Sequence, residues 1–351
     1  MLSLPEEVVR RIKDYLPGFY EFLRSEEGEK WLEERMQKLK VFPKMLSRDA
    51  LEEFTEADFI RIMEMLWANQ LWTNIHYPTE RILSSIGGID KLREQLLKLL
   101  WSDRPLSERY DNFRRTVKGM GPARITEILA YVNPDECGIW NRRSREGLKI
   151  LGLERVIPVK KYDISGEEYE RVNAVMKEIA ALLEDEEVSS PNLLDVDLFL
   201  YYIAVKVGRG QVVVEVEEEF DHDEIKEMLL GIGQSLGFEV DSDAPIASRV
   251  KVDVVWRARI GNFGEVRYAF EVYKDENISS LLLSLIRAQS EPMVQKIIIV
   301  SDEERINRVQ READGLQLPK FIYWTVSDVR RVAELLSELR EIMKKLELFK
   351  F

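Results

Sequence analysis

Two acidic residues stand inside segments that otherwise read as apolar strands. Asp253 lies in the middle of RVKVDVVWRARI and Glu271 in VRYAFEVY, the two arms of a hairpin turned at GNFGE. A charged side chain inside an apolar strand is costly unless something pairs with it. Two of them on adjacent strands suggest a shared cation. Hard oxygen donors point to Mg²⁺, with Mn²⁺ as the alternative, and such an ion keeps waters for a nucleophile or a phosphate. Glu224 precedes Met228 and Ile232 by four and eight positions, on the core-facing side of an amphipathic helix, and is a candidate third carboxylate. The competing reading is a structural ion pair of Asp253 and Glu271 with Arg257, Arg259 or Arg267. For Glu224 it is a favourable place in the first turn of a helix. His222 reads as a residue of the helix start rather than a base.

A second constellation lies in the first half, in FRRTVKGMGPARITEILAYVNPDECGIWNRRSREGLKILGL. Gly119 and Gly121 permit a tight turn between two helices, and Pro122 suits the first turn of the second. Backbone N–H groups there, with a helix N-terminus behind them, can hold a phosphate. Lys118 and Arg124 flank the turn, and Arg114 and Arg115 precede it. Contacts of this kind position a protein on nucleic acid without reading its sequence. Asn141, Arg142, Arg143 and Arg145 offer a second phosphate contact. The bland alternatives are an ordinary helix–helix turn and a solvated helix start.

The elements that must position these residues fall into two textures. The first 205 residues read as helical, with apolar positions at helical spacing in EEVVRRIKDYL, EADFIRIMEMLWANQLW and IDKLREQLLKLLW. Ser165 followed by Glu168 predicts a capping box before EEYERVNAVMKEIAALL, and LLDVDLFLYYIAV reads as the last helix of this half. After Gly208 to Gly210 the pattern changes. QVVVEVEEEF reads as a strand or a linker. There follow a helix in DHDEIKEMLLGIGQSLG, the hairpin, a helix in NISSLLLSLIRAQ, a buried strand in QKIIIVSD, a helix, a strand in KFIYWTV and a long C-terminal helix.

The stretch from Phe113 to Leu153 resembles the helix-hairpin-helix of the DNA glycosylase superfamily. That resemblance implies a grip on the DNA backbone by Lys118, Gly119, Gly121, Arg124, Asn141, Arg142 and Arg143. It also implies a catalytic lysine two positions after the hairpin glycines, where this chain has Ala123, and a catalytic aspartate where it has Asn141. An amide cannot act as a carboxylate base or stabilise a developing cation as a charge would. Glycosylase chemistry is therefore only a second alternative.

Helix Asp223–Leu236, Asp253 and Glu271-Val272-Tyr273, over residues 211–325, resemble the PD-(D/E)xK nuclease superfamily, the restriction-endonuclease-like fold with an αβββαβ core. The resemblance implies a metal held by Asp253, Glu271 and the Val272 carbonyl, with Glu224 assisting. Tyr273 stands where the family carries its lysine. Three readings stay open: Lys274 substitutes from the next position, Lys251 reaches in from two residues before Asp253, or the site is degenerate and the domain only binds. Gln289 and Arg287 are further phosphate-contact candidates.

Composition bounds the rest. The chain has 351 residues, 45% hydrophobic and 33% charged, enough to build a core and too much for a disordered chain. A net charge of −13 speaks against a protein that coats nucleic acid indiscriminately, though local patches matter more than totals. The one cysteine, Cys137, excludes an internal disulfide framework and a cysteine-cluster zinc site. No long uncharged apolar run and no signal-peptide core appear, so the expectation is a cytoplasmic protein with no membrane partner. Abundant Glu, Lys and Arg would suit a thermophile. The expected organisation is an α plus α/β chain, with a helix-hairpin-helix DNA-binding domain over 1–207 and a nuclease-like domain over 211–351. The expected activity is Mg²⁺-dependent hydrolysis of DNA phosphodiesters, with a catalytically degenerate recognition module as the alternative. Whether it serves repair or restriction, and whether it is a homodimer, stay open.

Overall fold

The computed structural model describes residues 4–72, 74–184, 188–208, 220–247, 250–259, 264–274, 277–316 and 321–346. The chain divides into two compact units, one of helices and one of mixed helix and sheet. Met1–Asn69 and Ile75–Glu219 form the first, and Gln70–Asn74 and Phe220–Phe351 the second. The two-part α plus α/β architecture read from the sequence is therefore present. QVVVEVEEEF lies outside the described residues as far as Glu219.

The helical unit runs through α1 (Glu6–Leu23), α2 (Glu26–Met45), α3 (Arg48–Glu52), α4 (Glu56–Met65), α5 (His76–Ile86) and α6 (Ile89–Trp101). It continues with α7 (Leu106–Thr116), α8 (Pro122–Val132), α9 (Arg142–Ile150), α10 (Gly166–Ala180) and α11 (Leu193–Tyr202). Side-chain caps fix several of the starts. The Ser165–Glu168 capping box opens α10 as the sequence predicts, and Thr55–Asp58, Asn141–Ser144 and Asn192–Asp195 do the same for α4, α9 and α11.

One expectation fails within this unit. EADFIRIMEMLWANQLW does not make one helix: α4 ends at Met65, Leu66 turns extended, and Trp67–Asn69 form a single 3₁₀ turn. The cause is tertiary. Glu127 of α8, 2% exposed, accepts the backbone N–H groups of Trp67 at 2.8 Å and Ala68 at 3.2 Å. Its charge is balanced by Lys38 of α2 at 3.0 Å. A buried carboxylate that captures two N–H groups outbids the helix for them.

The α/β unit comprises α12 (His222–Ser235), β1 (Glu239–Ala247), β2 (Val250–Arg259), β3 (Glu265–Val272), α13 (Ile278–Gln289), β4 (Val294–Ser301), α14 (Glu303–Gly315), β5 (Ile322–Thr325) and α15 (Val326–Lys345). The strands lie side by side in chain order. β1, β2 and β3 form an antiparallel meander, and β4 and β5 add in parallel to β3. Parallel neighbours need a crossover, and α13 and α14 supply it. β1 is absent from the sequence reading. Its residues EVDSDAPIA are poor strand formers, and Asp243 sits at φ +50°; pairing with β2, rather than propensity, makes it a strand.

Candidate functional site

The carboxylates of the α/β unit come together where two strands part. The ladder between β2 and β3 pairs Val254 with Phe270. One step further along, Asp253 and Glu271 interleave with the backbone instead. The Asp253 N–H donates to Glu271 Oε2 at 3.3 Å, and the Val272 N–H donates to Asp253 Oδ2 at 2.8 Å. Each carboxylate thus caps the opposite strand's backbone and is held in place by it. Asp253 is mostly buried, with 13% of its side chain exposed.

Two cations from α12 converge on Asp253. His222 Nε2 lies 3.1 Å from Oδ2, and Lys226 Nζ lies 3.4 Å from Oδ1. Lys226 also reaches Asp243 of β1 at 2.7 Å. The register explains this meeting: Asp243 falls between Ser242, opposite Val254, and Ala244, opposite Val252. α12 starts at His222 because the Asp221 side chain accepts the Glu224 N–H, and four residues, one helical turn, separate His222 from Lys226.

The electrostatics follow from these contacts. Burial works against the charged form of Asp253, but the His222 hydrogen bond and charge, the Val272 N–H and Lys226 outweigh it and hold the carboxyl below its ordinary range. The bonds to Asp223 and Asp253 push His222 up to about 10. Lys226 is also raised: burial lowers it, and the Asp243 and Asp253 carboxylates more than compensate.

The other expected residues are placed as follows. Glu224 is buried and pairs with Arg330 of α15 at 3.5 Å, whereas Asp223 and Asp243 are the acidic residues that join the His222–Lys226–Asp253 group. The Tyr273 ring belongs to the apolar core with Ala269, Leu281 and Ile299. Lys274 is half-buried just past β3, and Lys251 is exposed at the start of β2. His222 and Lys226 reach Asp253 from α12. Gln289 and Arg287 are exposed at the end of α13. Among the described residues no group of three or more His, Cys, Asp or Glu is arranged to hold a metal ion. The donors present are two neighbouring carboxylates. Both oxygens of Asp253 are engaged within the protein, Oδ2 by His222 and the Val272 N–H and Oδ1 by Lys226.

In the helical unit the turn between α7 and α8 has the expected form. Gly119 takes φ +85°, a conformation that favours glycine. Gly121 caps α8 with Pro122 in its first turn, and a Cβ on Gly121 would meet the Tyr162 hydroxyl at 2.7 Å. Met120 is buried, whereas Lys118 and Gly119 are exposed. Arg124 has a different place from the one expected. It is 6% exposed and donates to the Gly119 carbonyl at 2.6 Å and to Asn69 Oδ1 at 2.7 Å. It holds the turn's shape from inside. Asn141 is the N-cap of α9, and Arg142 and Arg143 both pair with Glu146, at 3.3 and 3.1 Å. Arg145 is buried near the Tyr162 ring, and Arg114 pairs with Asp163.

No protein-family model, no curated protein and no solved structure matches the chain. No helix among the described residues is long and apolar enough to cross a membrane. The sequence reading put His222 at a helix start, where α12 begins, and did not single out Lys226; their meeting with Asp253 arises only when α12 packs beside β1 and β2. The one local signal was their spacing of one turn at a helix start.

Proposed function

We propose that the chain acts on nucleic acid, with an α/β unit that hydrolyses phosphodiester bonds at Asp253 and Glu271. The observation that carries this reading is the cross-bonded pair itself, two carboxylates fixed by each other's backbone where β2 and β3 part, with a lysine beside them. The order α12, β1, β2, β3, α13, β4 supports a restriction-endonuclease-like core, and the glycine turn between α7 and α8 supports a helix-hairpin-helix grip on the phosphate backbone.

In this reading Asp253, Glu271 and the Val272 carbonyl would hold Mg²⁺, which would supply positive charge for the phosphate. Lys226 takes the place left by Tyr273 and neutralises charge on the phosphate as it builds up. His222 holds Asp253 in position. Lys118 and the backbone of Gly119 and Gly121 contact phosphates of the bound strand.

A second reading has its own observation. Tyr273 is sealed in the core and Asp253 is already engaged by two protein cations, which suits a domain that recognises DNA without cutting it.

The test is incubation of the purified chain with labelled single-stranded, duplex and branched DNA, in Mg²⁺, Mn²⁺ or EDTA. Metal-dependent cutting is expected, abolished by Asp253→Ala and reduced at least a hundredfold by Lys226→Met. Binding without cutting in every metal would favour the recognition module. Cutting that survives Asp253→Ala would overturn the site.

A further inference from the structure

Helices α6 and α7 pack against each other and line a cleft of about 330 Å³, at the small end of the range that holds a ligand. Gln95 and Lys98 come from α6, and Arg109, Asn112, Phe113 and Thr116 from α7. Within each set the spacings are three, four and seven residues, so each set is one face of its helix. Lys98, Arg104 and Arg109 put three cations into the lining, and no carboxylate joins them. The charge is local: residues 91–118 carry eight basic and four acidic side chains, net +4, in a chain of net −13.

Two of these cations are held weakly. Lys98 pairs with Glu94 at 2.6 Å and Arg104 with Glu108 at 3.4 Å, all four side chains 48–69% exposed. Exposed pairs one turn apart contribute little, so both cations can turn to a stronger acceptor. Glu94 would then keep Lys91, at 3.8 Å. Arg109 is fixed instead. Its Nη1 donates to the Leu99 and Leu100 carbonyls at 2.6 and 3.4 Å. Those bonds satisfy the carbonyl end of α6, whose partial negative charge would otherwise repel an anion. Asn112 Oδ1 accepts from Arg115, which leaves the Asn112 NH₂ group to donate to a ligand.

We propose that the cleft between α6 and α7 is a phosphate-ester site, in which Lys98, Arg104 and Arg109 hold the anion and Asn112 donates to it. Three cations exceed what the single charge and two oxygens of a carboxylate can use. Phosphate groups offer more charge and more acceptor oxygens, and the planar fork of arginine matches them. The aromatic side chain of the lining, Phe113, is 1% exposed, so the cleft offers no ring face for a base to stack on. The phosphate belongs either to a nucleic-acid strand or to a free nucleotide. Thr116 ends α7 two residues before Lys118, which places the cleft beside the glycine turn. From Arg109 to Thr116 the helix rises about 10 Å, a length over which one strand of a duplex carries about three phosphates. The strand as source rests on the function proposed above, whereas the site rests on the cleft alone.

The test uses the full chain with three probes: a labelled DNA duplex followed by anisotropy over a range of salt, and inorganic phosphate and a nucleoside monophosphate followed by calorimetry. Lys98→Ala with Arg104→Ala removes two exposed cations and spares the fixed Arg109. That variant should bind the duplex at least tenfold more weakly at low salt, with the slope of log affinity against log salt smaller by about 2, roughly 0.9 for each lost phosphate contact. Arg10→Ala with Lys13→Ala, two exposed cations of α1, removes the same charge elsewhere and should change neither quantity. Equal losses in the two variants would overturn the cleft, since net charge alone would then explain them. If Lys118→Glu weakens duplex binding, the cleft variant does not, and neither small phosphate binds, the cleft is overturned and the proposed function stands. If the duplex does not bind but a small phosphate does, and the cleft variant loses it, the site stands with a free nucleotide as its ligand and the nucleic-acid reading falls. Binding of none of the three probes would overturn both.

Discussion

At the residue scale the central question is what holds Asp253 ionised in a mostly buried place. Desolvation alone would raise its pKa. The structure meets that cost with a backbone N–H and two cations, and Asp223 together with Asp253 raises His222 in turn. A histidine with a raised folded-state pKa contributes its full stabilisation below its unfolded value near 6.5 and loses it as pH climbs through about 10. Asp253 has the opposite sign: its contribution is present above its unfolded value of 3.8 and is lost as pH falls through the depressed folded value. The pair therefore stabilises the α/β unit most between these limits. The chain has only two histidines, so imidazole proton resonances of the wild type and of His222→Ala assign both titrations. One imidazole should titrate above pH 8 and vanish in the variant. A His222 that titrates near 6.5 would mean that its contacts with Asp223 and Asp253 do not form in solution.

At the scale of elements, α8 does more than follow a turn. Arg124 and Glu127, three residues apart and so on one side of the helix, both clamp the Trp67–Asn69 turn. Glu127 also neutralises Lys38, whose ammonium lies 4.3 Å from the centre of the Trp67 ring and whose pKa burial lowers despite that partner. Burial and the nearby Glu127 charge push Asp197 of α11 up to about 7, against the opposing pull of Lys38 and Arg35. Glu127→Ala should destabilise the helical unit by about 3–5 kcal/mol, because it strands a buried ammonium and two N–H groups. Glu127→Gln, which keeps an acceptor, should cost less and bring the Asp197 pKa down. Denaturant unfolding and carboxyl titration check the two parts. A loss below about 1 kcal/mol for the alanine, the range of an exposed pair, would show that solvent reaches the cluster. The same elements mark where the sequence was readable. Amphipathic spacing exposed α1, α6, α10 and α12, and charges inside apolar runs exposed Asp253 and Glu271, since both signals are local. The break after Met65, strand β1 and the arrival of His222 and Lys226 at Asp253 come from partners 60, about 10 and about 30 residues away in sequence, where no window of residues carries the signal. Arg124 looked like a phosphate ligand because its type and position were right; only the packing shows its guanidinium turned inward.

At the scale of the whole molecule, the α/β unit is not one stretch of sequence. Gln70–Asn74 leave the helical run and belong to it. Arg340 of α15 donates to the carbonyls of Gln70 and Trp72, Ser235 of α12 donates to the Leu71 carbonyl at 2.9 Å, and the Asn74 N–H donates to Gln234 at 3.2 Å. Trp72 is 5% exposed, and Gly231 leaves room for Leu71, whose Cβ lies 2.9 Å from where a Cβ on that glycine would stand. A cut near residue 207, the obvious place from composition, removes this segment and leaves the Arg340 guanidinium without its two carbonyl acceptors. Hydrogen bonds to a charged group are worth about 1.5–3 kcal/mol each. Fragment 220–351 should therefore be measurably less stable than the same residues in the full chain. Its amide exchange should rise first in α12 and α15, the two helices that hold the segment. A synthetic peptide spanning residues 66–76 should restore protection, and Arg340→Ala in the full chain should reproduce part of the loss. Equal protection of α12 and α15 in the fragment and the full chain would show that the segment only rests on the unit. The loss would then have to be sought elsewhere than in these four hydrogen bonds.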